Sequence, residues 1–490
     1  MKLDVDVNRG VVVKSFAWKA AERFISQGIN LVVQIFLARL LLPEAHGSVQ
    51  LIVVITNYAS IFVNTGLAQA IVQKEDIDEL DVSTLLTASL AIAAVAYAIL
   101  YAMAPFGAVY FNMPELKWTL RVQAIILFFY AIYSVQTALL SRRMKFKKIF
   151  FRTLLAVGIS GTIAIFMAIK GFGVWAIIAQ NLVNMLVIVI YMSFDKDLRV
   201  PLGFSLERAK KLYSFTSKIM MTSLVAGFND TFRTTRIGKK YTRNDLAFYS
   251  KAYTYSGYVT QVVHTSMQSV LLSTFSRSQT EIERLRQMAR RSVRLSAFIM
   301  FPVLIGFAVM ANNVVPVLLT PKWNPCIPFL ILFMLLRIPG VTMSVDKQVY
   351  YALGRSEINL YYEIGLLIFN LISISITVMI GTLAIAVGAT LAEYLGAIAI
   401  FIISSKVYGY SLFERIRDLI KPIISSAVMA GAALSTELLK LGNMPTLLLK
   451  AAVCAAVYLL IALITKDETF KYLITVLTER FRGKKGDVAK

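Results

Sequence analysis

Residues that could bind an anion recur at helical spacing near the middle of the chain. This set combines two arginines, a lysine and small polar side chains: Lys218, Thr222, Asn229, Arg233 and Arg236. On a helix, at 100° per residue, they lie within an arc of roughly 60°. Arginine suits phosphate because its planar guanidinium makes paired, charge-assisted hydrogen bonds. The pattern favours a helix face that binds a phosphate-bearing anion.

The stretch that follows adds a face of aromatic and polar residues. Tyr253 and His264 lie on one side of the predicted helix, together with Tyr249 and Gln268, within roughly 100°. Aromatic faces stack on sugar rings, but tyrosines are also common at membrane interfaces. Both interpretations stay open, and Tyr253 and His264 are candidate substrate-binding residues.

A third polar stripe opens the chain, with Glu22 near its start and Gln34 near its end. Arg23 and Arg39 add positive charge and are further candidates for binding the anion. An isolated cation in mid-bilayer costs about 2.5–3.5 kcal/mol, so such residues call for a functional explanation. The alternatives are that Glu22 pairs with a neighbouring arginine and that terminal arginines extend towards the membrane surface. Glu22 and Asp230 are candidates for binding a coupling ion.

Catalytic and metal-binding patterns are missing from the sequence. It contains no G-x-S-x-G, H-E-x-x-H or P-loop motif, and only two His and two Cys. We therefore expect a transporter without catalytic residues, metal or cofactor. A Na⁺ or H⁺ gradient or the membrane potential would supply the driving force.

The composition is that of a membrane protein. Hydrophobic residues make up 57% of the 490 residues, charged residues only 16%, and mean hydropathy is +0.67. The net charge of +23 comes from basic residues in short breaks between apolar runs. That is the positive-inside pattern, so nucleic acid is not an expected partner.

Fourteen apolar runs are long enough to cross a bilayer as helices, which predicts an all-α integral membrane protein. They lie near residues 16–38, 47–69, 84–105, 119–140, 152–170, 173–193, 211–235, 246–273, 295–318, 326–345, 360–380, 383–404, 422–440 and 446–465. The even number and the basic loops place both termini in the cytoplasm. The turn after the seventh run is basic although it should lie outside. Either that span is misplaced, or its cations line a cavity.

An internal repeat indicates two halves. The residues that recur, 211 or 212 positions later, are Pro105 and Pro316, Pro114 and Pro325, Gln136 and Gln348, and Arg143 and Arg355. We therefore predict two six-helix pseudo-repeat lobes plus two extra helices at the C-terminal end. The predicted boundaries are 1–200 for the N-lobe, 201–410 for the C-lobe, and 411–490 for spans 13 and 14 with a basic cytoplasmic tail.

Two segments near the start of the chain carry a family resemblance. F-L-A-R-L-L-L-P-E-A-H-G, ending at Gly47, and N-T-G-L-A-Q-A-I-V-Q-K, ending at Lys74, resemble the start of the polysaccharide-exporting, Wzx-like flippases. These belong to the multidrug/oligosaccharidyl-lipid/polysaccharide exporter (MOP) superfamily. L-A-F-Y-S-K-A, ending at Ala252, resembles a motif after span seven of that family. His46 stands where the family usually has Phe or Tyr.

The resemblance implies a flippase of the bacterial cytoplasmic membrane. Such proteins translocate an undecaprenyl-pyrophosphate-linked oligosaccharide repeat unit to the outer leaflet by alternating access through a cationic cavity. The product would be a surface polysaccharide such as lipopolysaccharide or exopolysaccharide. The implied partners are that lipid-linked oligosaccharide, membrane lipids, and the polysaccharide polymerase and export machinery. In relatives, the two extra helices form a groove for the lipid tail.

Two other functions stay open at this point. A multidrug or organic-cation exporter of the same fold would need acidic, aromatic-lined sites, and the excess of cations argues against it. A membrane polymerase or ligase of lipid-linked glycans would need a catalytic outer loop, and the loops are short.

Overall fold

The computed structural model describes residues 9–64, 71, 77–195, 198, 200–276, 278 and 280–475, and these residues are almost entirely helical. In chain order the helices are α1 (Arg9–Leu40), α2 (Pro43–Asn64), α3 (Glu79–Tyr110), α4 (Leu116–Gln123), α5 (Ile126–Arg142), α6 (Phe146–Ile169), α7 (Val174–Ser193), α8 (Leu206–Lys240), α9 (Arg243–Ser276), α10 (Ile282–Leu319), α11 (Ile327–Ala352), α12 (Ser356–Thr377), α13 (Thr382–Tyr408), α14 (Leu412–Ser435) and α15 (Asn443–Ile464). A last helical segment, α16, covers residues 468–475. Short 3₁₀ helices lie at Pro321–Cys326 and Thr436–Leu439.

The predicted fold class, an all-α membrane protein, is confirmed. Within the described residues, eleven helices are long and apolar enough to cross a membrane, with α4 and α5 counted as one. The exact number of fourteen spans is not confirmed. Three other long helices, α1, α8 and α9, are not apolar enough to be counted, although their 32, 35 and 34 residues could span a membrane. They carry the polar faces identified in the sequence, and these polar residues lower their mean hydropathy.

Two compact units divide the chain, Met1–Ser250 and Lys251–Lys490. In the first, buried residues such as Val63, Ala93 and Leu127 form the core between helices. In the second, one core cluster includes Phe275, buried among residues of α10, α11 and α13. The predicted lobes 1–200, 201–410 and 411–490 are defined by membrane topology and not by packing, and they stay a prediction.

Glycines on α8 allow it to pack closely against α2 inside the first unit. A Cβ at Gly227 would lie 2.8 Å from Ile61 Cδ1, and one at Gly238 would lie 2.7 Å from Leu51 Cδ2. Small residues at such contacts let helix backbones approach each other in membranes. The two glycines lie about 20° apart around the helix. They therefore define the face of α8 that contacts α2.

The turn between α1 and α2 is short. Within the motif that ends at Gly47, α1 continues to Leu40 and α2 starts at Pro43, so only Leu41 and Leu42 lie between the helices. Proline is favoured at the first position of a helix because its missing N–H needs no partner there. The motif is therefore mostly helical, and it determines how α2 begins.

The predicted internal repeat has a counterpart in both units. Gln136 on α5 and Gln348 on α11 are both buried. The turns after these helices each contain a left-handed residue, Met144 with φ of 53° and Gly354 with φ of 71°. Arg143 precedes the left-handed residue and Arg355 follows it, so these two arginines occupy different positions of the turn.

Candidate anion-binding site

The cationic stripe of α8 faces away from α2. Measured around the helix from Gly227, the stripe residues Lys218, Asn229 and Arg236 lie at roughly 180–200° and Arg233 at roughly 240°. The close contacts of α8 with α2 occur on the glycine face. The stripe is therefore left out of the α2–α8 contact, as expected of a face that binds a ligand.

Arg233 is held in a defined position. Its side chain is buried, with 7% exposed. Its Nη2 donates to Asp230 Oδ1 at 2.5 Å, and its guanidinium lies 5.7 Å from the ring centroid of Tyr249. An arginine over an aromatic face is stabilised by the ring quadrupole. Part of the positive charge of Arg233 is balanced by Asp230, so Arg233 also has a structural role.

Arg236 is the most accessible cation of the described stripe. It is exposed, and its guanidinium lies 5.3 Å from the ring centroid of Phe232. Among the described residues no carboxylate lies within salt-bridge distance of it. Seven residues earlier in the chain, and so on nearly the same side of the helix, Asn229 is half-buried, and its Oδ1 is buried without a hydrogen-bond partner in the described structure. Arg236 and Asn229 therefore provide one cation and one amide that can bind a ligand.

The remaining predicted site residues of the first unit are not brought together with Arg236. Arg23 and Arg39 are exposed on α1. Glu22 lies close enough to Arg152 for their charges to attract. Lys218 lies on α8, but its side chain is outside the described part of the structure. Arg152 is therefore the arginine nearby in the alternative that the sequence left open, but the two side chains form no ion pair among the described residues.

Arg152 was not among the candidate site residues, but it is buried on α6 with 2% exposed. Its Nη1 donates to Thr137 Oγ1 at 3.1 Å, and its guanidinium lies 5.1 Å from the ring centroid of Tyr133. Its place at the start of a long apolar run is the signal that could have distinguished it from the loop cations.

In the second unit, Tyr253 packs against other side chains. Its ring lies 5.3 Å from that of Phe333, edge to face, and the guanidinium of Arg337 lies 4.6 Å from its centroid. Arg337 Nη2 also approaches the Tyr253 carbonyl oxygen at 3.4 Å. Stacking of a sugar on Tyr253 stays a prediction. The side chain of His264, on α9, lies outside the described part of the structure.

The basic turn after α8 is largely helix. Arg233, Arg236 and the two following lysines all lie on α8, which ends at Lys240. The connection is therefore shorter than the sequence indicated, because only Tyr241 and Thr242 separate α8 from α9, and the placement of this span in the membrane stays a prediction.

The start of α9 is joined to α2 through residues not recognised as a cluster in the sequence. Arg243 Nη1 donates to Glu44 Oε1 at 3.0 Å and to Glu115 Oε1 at 2.9 Å. Ser48 Oγ donates to Glu115 at 3.1 Å. A Cβ at Gly47 would lie 1.9 Å from the Arg243 carbonyl oxygen. The sequence signal that could have identified this contact is the motif F-L-A-R-L-L-L-P-E-A-H-G, which contains both Glu44 and Gly47.

Comparison with known proteins gives a match to one protein family. Residues 36–328 match the family described as "Polysaccharide biosynthesis protein". The chain is 27% identical to the succinoglycan biosynthesis transport protein ExoT of Rhizobium meliloti (strain 1021) over 326 residues, or 66% of each chain. It is 23% identical to the lipopolysaccharide biosynthesis protein WzxC of Escherichia coli (strain K12), over 85% of this chain and 86% of that protein.

Solved structures show the same fold. Lipid II flippase MurJ in an inward closed conformation has a TM-score of 0.76 and 15% identity, covering 92% of this chain and 99% of that one. An inward-facing multidrug-resistance MATE transporter of the MOP superfamily has a TM-score of 0.60 and 17% identity, covering 80% and 94%. At these identities the likeness concerns the fold alone.

Proposed function

Because the chain belongs to the polysaccharide biosynthesis protein family and has the fold of MOP transporters, we propose that it flips a lipid-linked oligosaccharide repeat unit for surface polysaccharide synthesis. It is a multi-pass membrane transporter and not an enzyme. In the proposed reaction, an undecaprenyl-pyrophosphate-linked unit moves from the cytoplasmic to the outer leaflet of the bacterial cytoplasmic membrane. Both termini lie in the cytoplasm.

The observation that carries the substrate proposal is the cationic face of α8. Arg236 is exposed on it, opposite the face that packs on α2. Its guanidinium can bind two phosphate oxygens at once. Asn229 lies on nearly the same side of α8, about 10 Å away along the helix axis, and its amide can donate a hydrogen bond to another part of the substrate. Arg233 adds positive charge from a buried position. A pyrophosphate would bind this face, the sugars would follow into a wet cavity, and the polyprenyl tail would stay in lipid beside α14 and α15.

The driving force follows from the charge of the substrate. An inside-negative potential assists outward movement of an anion by about 2.3 kcal/mol per charge per 100 mV. A coupling ion would need a carboxylate, and Asp230 and Glu22 are the proposed ones. Asp230 already accepts from Arg233, so binding of Na⁺ or H⁺ there would compete with that ion pair.

Arg236→Ala tests the proposal directly. Loss of a charge-assisted contact to pyrophosphate should slow flipping about 10- to 100-fold, while the amount of folded protein stays normal because the side chain is exposed. Arg236→Lys should keep part of the rate, since it retains charge but not the planar fork. The measurement is transport of a labelled undecaprenyl-pyrophosphate oligosaccharide in proteoliposomes, with and without an ion gradient.

Lys210→Ala is the matched control, because Lys210 is an exposed cation near the start of the same helix. This variant should transport the substrate at the normal rate. A normal rate in Arg236→Ala would contradict the proposed role of this face.

A deletion strain distinguishes the candidate functions. Loss of a flippase leaves completed repeat units facing the cytoplasm, and loss of a polymerase leaves single units outside. Loss of a drug exporter changes only drug sensitivity.

A further inference from the structure

A second basic site lies in the second unit. It is a cavity of about 520 Å³ between the start of α10 and α16. Four arginines line it, Arg284, Arg290, Arg291 and Arg294, and its acidic lining residue is Glu468. Because these arginines line a cavity, they can contact one anionic group from several sides.

The four arginines are not equally available. Arg290 is bound by α14, its Nε donating to Asp418 at 2.9 Å and its Nη1 to Glu414 at 2.8 Å. Arg294 Nη1 lies 3.4 Å from the carboxylate of Glu468, which is itself 86% exposed, and its Nε lies 3.8 Å from Asp418 Oδ1, so its outer nitrogens are the ones open to a ligand. Arg291 has no acidic partner among the described residues. Arg290 is therefore a fixed part of the cavity wall, whereas Arg291 and Arg294 can bind a ligand.

Tyr472 holds Arg291 in an orientation suited to phosphate. The Arg291 guanidinium lies 4.0 Å from the centroid of the Tyr472 ring. Stacking of this kind occupies the face of the guanidinium and leaves its in-plane N–H donors free. Tyr472 is itself positioned by α16, whose Phe470 packs 6.3 Å from Phe298 of α10.

The cavity lies where α10 changes from basic to apolar. The helix has 38 residues, about 57 Å, nearly twice the thickness of a hydrocarbon core. Its first part carries the arginines, and the apolar part begins at Leu295, which also lines the cavity with Met288. Basic residues beside an apolar span lie at the depth of lipid head groups.

We propose that this cavity binds the phosphate of an anionic phospholipid of the cytoplasmic leaflet, through Arg291 and Arg294. The mixed lining favours a lipid over a soluble phosphate, because Leu295 and Met288 can contact the glycerol and upper acyl carbons while the arginines bind the phosphate. The site is separate from the proposed transport site and does not depend on it.

The test is lipid binding by the purified full-length protein, measured by native mass spectrometry during titration with phosphatidylglycerol, phosphatidylcholine or inorganic phosphate. Phosphatidylglycerol should bind more tightly than phosphatidylcholine. Each arginine removed, in Arg291→Ala and Arg294→Ala, should weaken its binding about fivefold. Arg291→Lys should lose less, and Arg417→Ala, an exposed cation of α14 outside the cavity, should bind as the unchanged protein does.

Three results would overturn the proposal. Equal binding of both lipids would show that charge is not recognised. An equal loss in Arg417→Ala would show a general surface effect. Displacement of the lipid by millimolar inorganic phosphate would assign the cavity to a soluble anion. Folding of each variant is checked by its elution profile. If an alanine variant is unstable, Arg291→Lys keeps the test valid because it retains the charge.

Discussion

Asp346→Ala is expected to destabilise the second unit by about 3–5 kcal/mol, because it breaks a buried ion pair and leaves the other charge without compensation. Asp346 is fully buried, and its carboxylate accepts two hydrogen bonds from Arg415, Nη1 to Oδ2 at 2.9 Å and Nη2 to Oδ1 at 2.7 Å. Ser404 and Tyr408 also donate to Oδ1. The network joins α11, α13 and α14.

The measurement is the midpoint of thermal unfolding of the detergent-purified protein, together with the amount of protein in the membrane. Replacing both charges with apolar residues, as in Asp346→Leu with Arg415→Met, should recover much of the loss, since no unpaired charge then stays buried. The exposed pair of Arg284 with Glu281 is the control, and its removal should cost about 0–1 kcal/mol. Equal midpoints for Asp346→Ala and the original protein would contradict the argument.

Gly47→Ala is expected to cause the second largest loss, in both stability and transport. The new Cβ would lie 1.9 Å from the Arg243 carbonyl oxygen and 2.7 Å from its carbonyl carbon. These are backbone atoms, so the start of α2 and the start of α9 must separate. Overpacking of this kind typically costs about 1–3 kcal/mol, and the separation would also strain the contacts of Arg243 with Glu44 and Glu115.

Gly158→Ala is the matched control for this variant. Gly158 lies exposed within α6, and nothing lies within 4 Å of a Cβ built there. Alanine should therefore be neutral or slightly stabilising, through its higher helix propensity. Both variants are compared by thermal unfolding and by surface polysaccharide in a complemented deletion strain. Normal polysaccharide in Gly47→Ala would show that the α2–α9 contact is not needed.

Much of this architecture could be predicted from the residue pattern. Apolar runs of membrane length can only be helices in lipid, so the positions of the long helices followed directly. The 100° spacing also placed Asn229 and Arg236 on one side of α8, and the structure puts that side opposite Gly227. Periodicity determines which residues share a face because this depends only on local backbone geometry.

Tertiary packing decided which part of the chain each helix face contacts. Arg152 is buried against Thr137 and Tyr133. Arg243, which the sequence placed in an exterior turn, forms ion pairs with Glu44 and Glu115. Arg243 meets Glu44 across 199 positions, and Arg415 meets Asp346 across 69.

The sequence by itself therefore determined the helices, the membrane class and the stripe of cations. Only the tertiary structure decided that Tyr249 of α9 lies against Arg233, that Arg236 stays accessible, and that α10 and α16 form a basic cavity. The physical reason is that ion pairs, burial and cavities depend on the distances between helices distant in sequence, and a single chain's residue pattern contains no information on those distances.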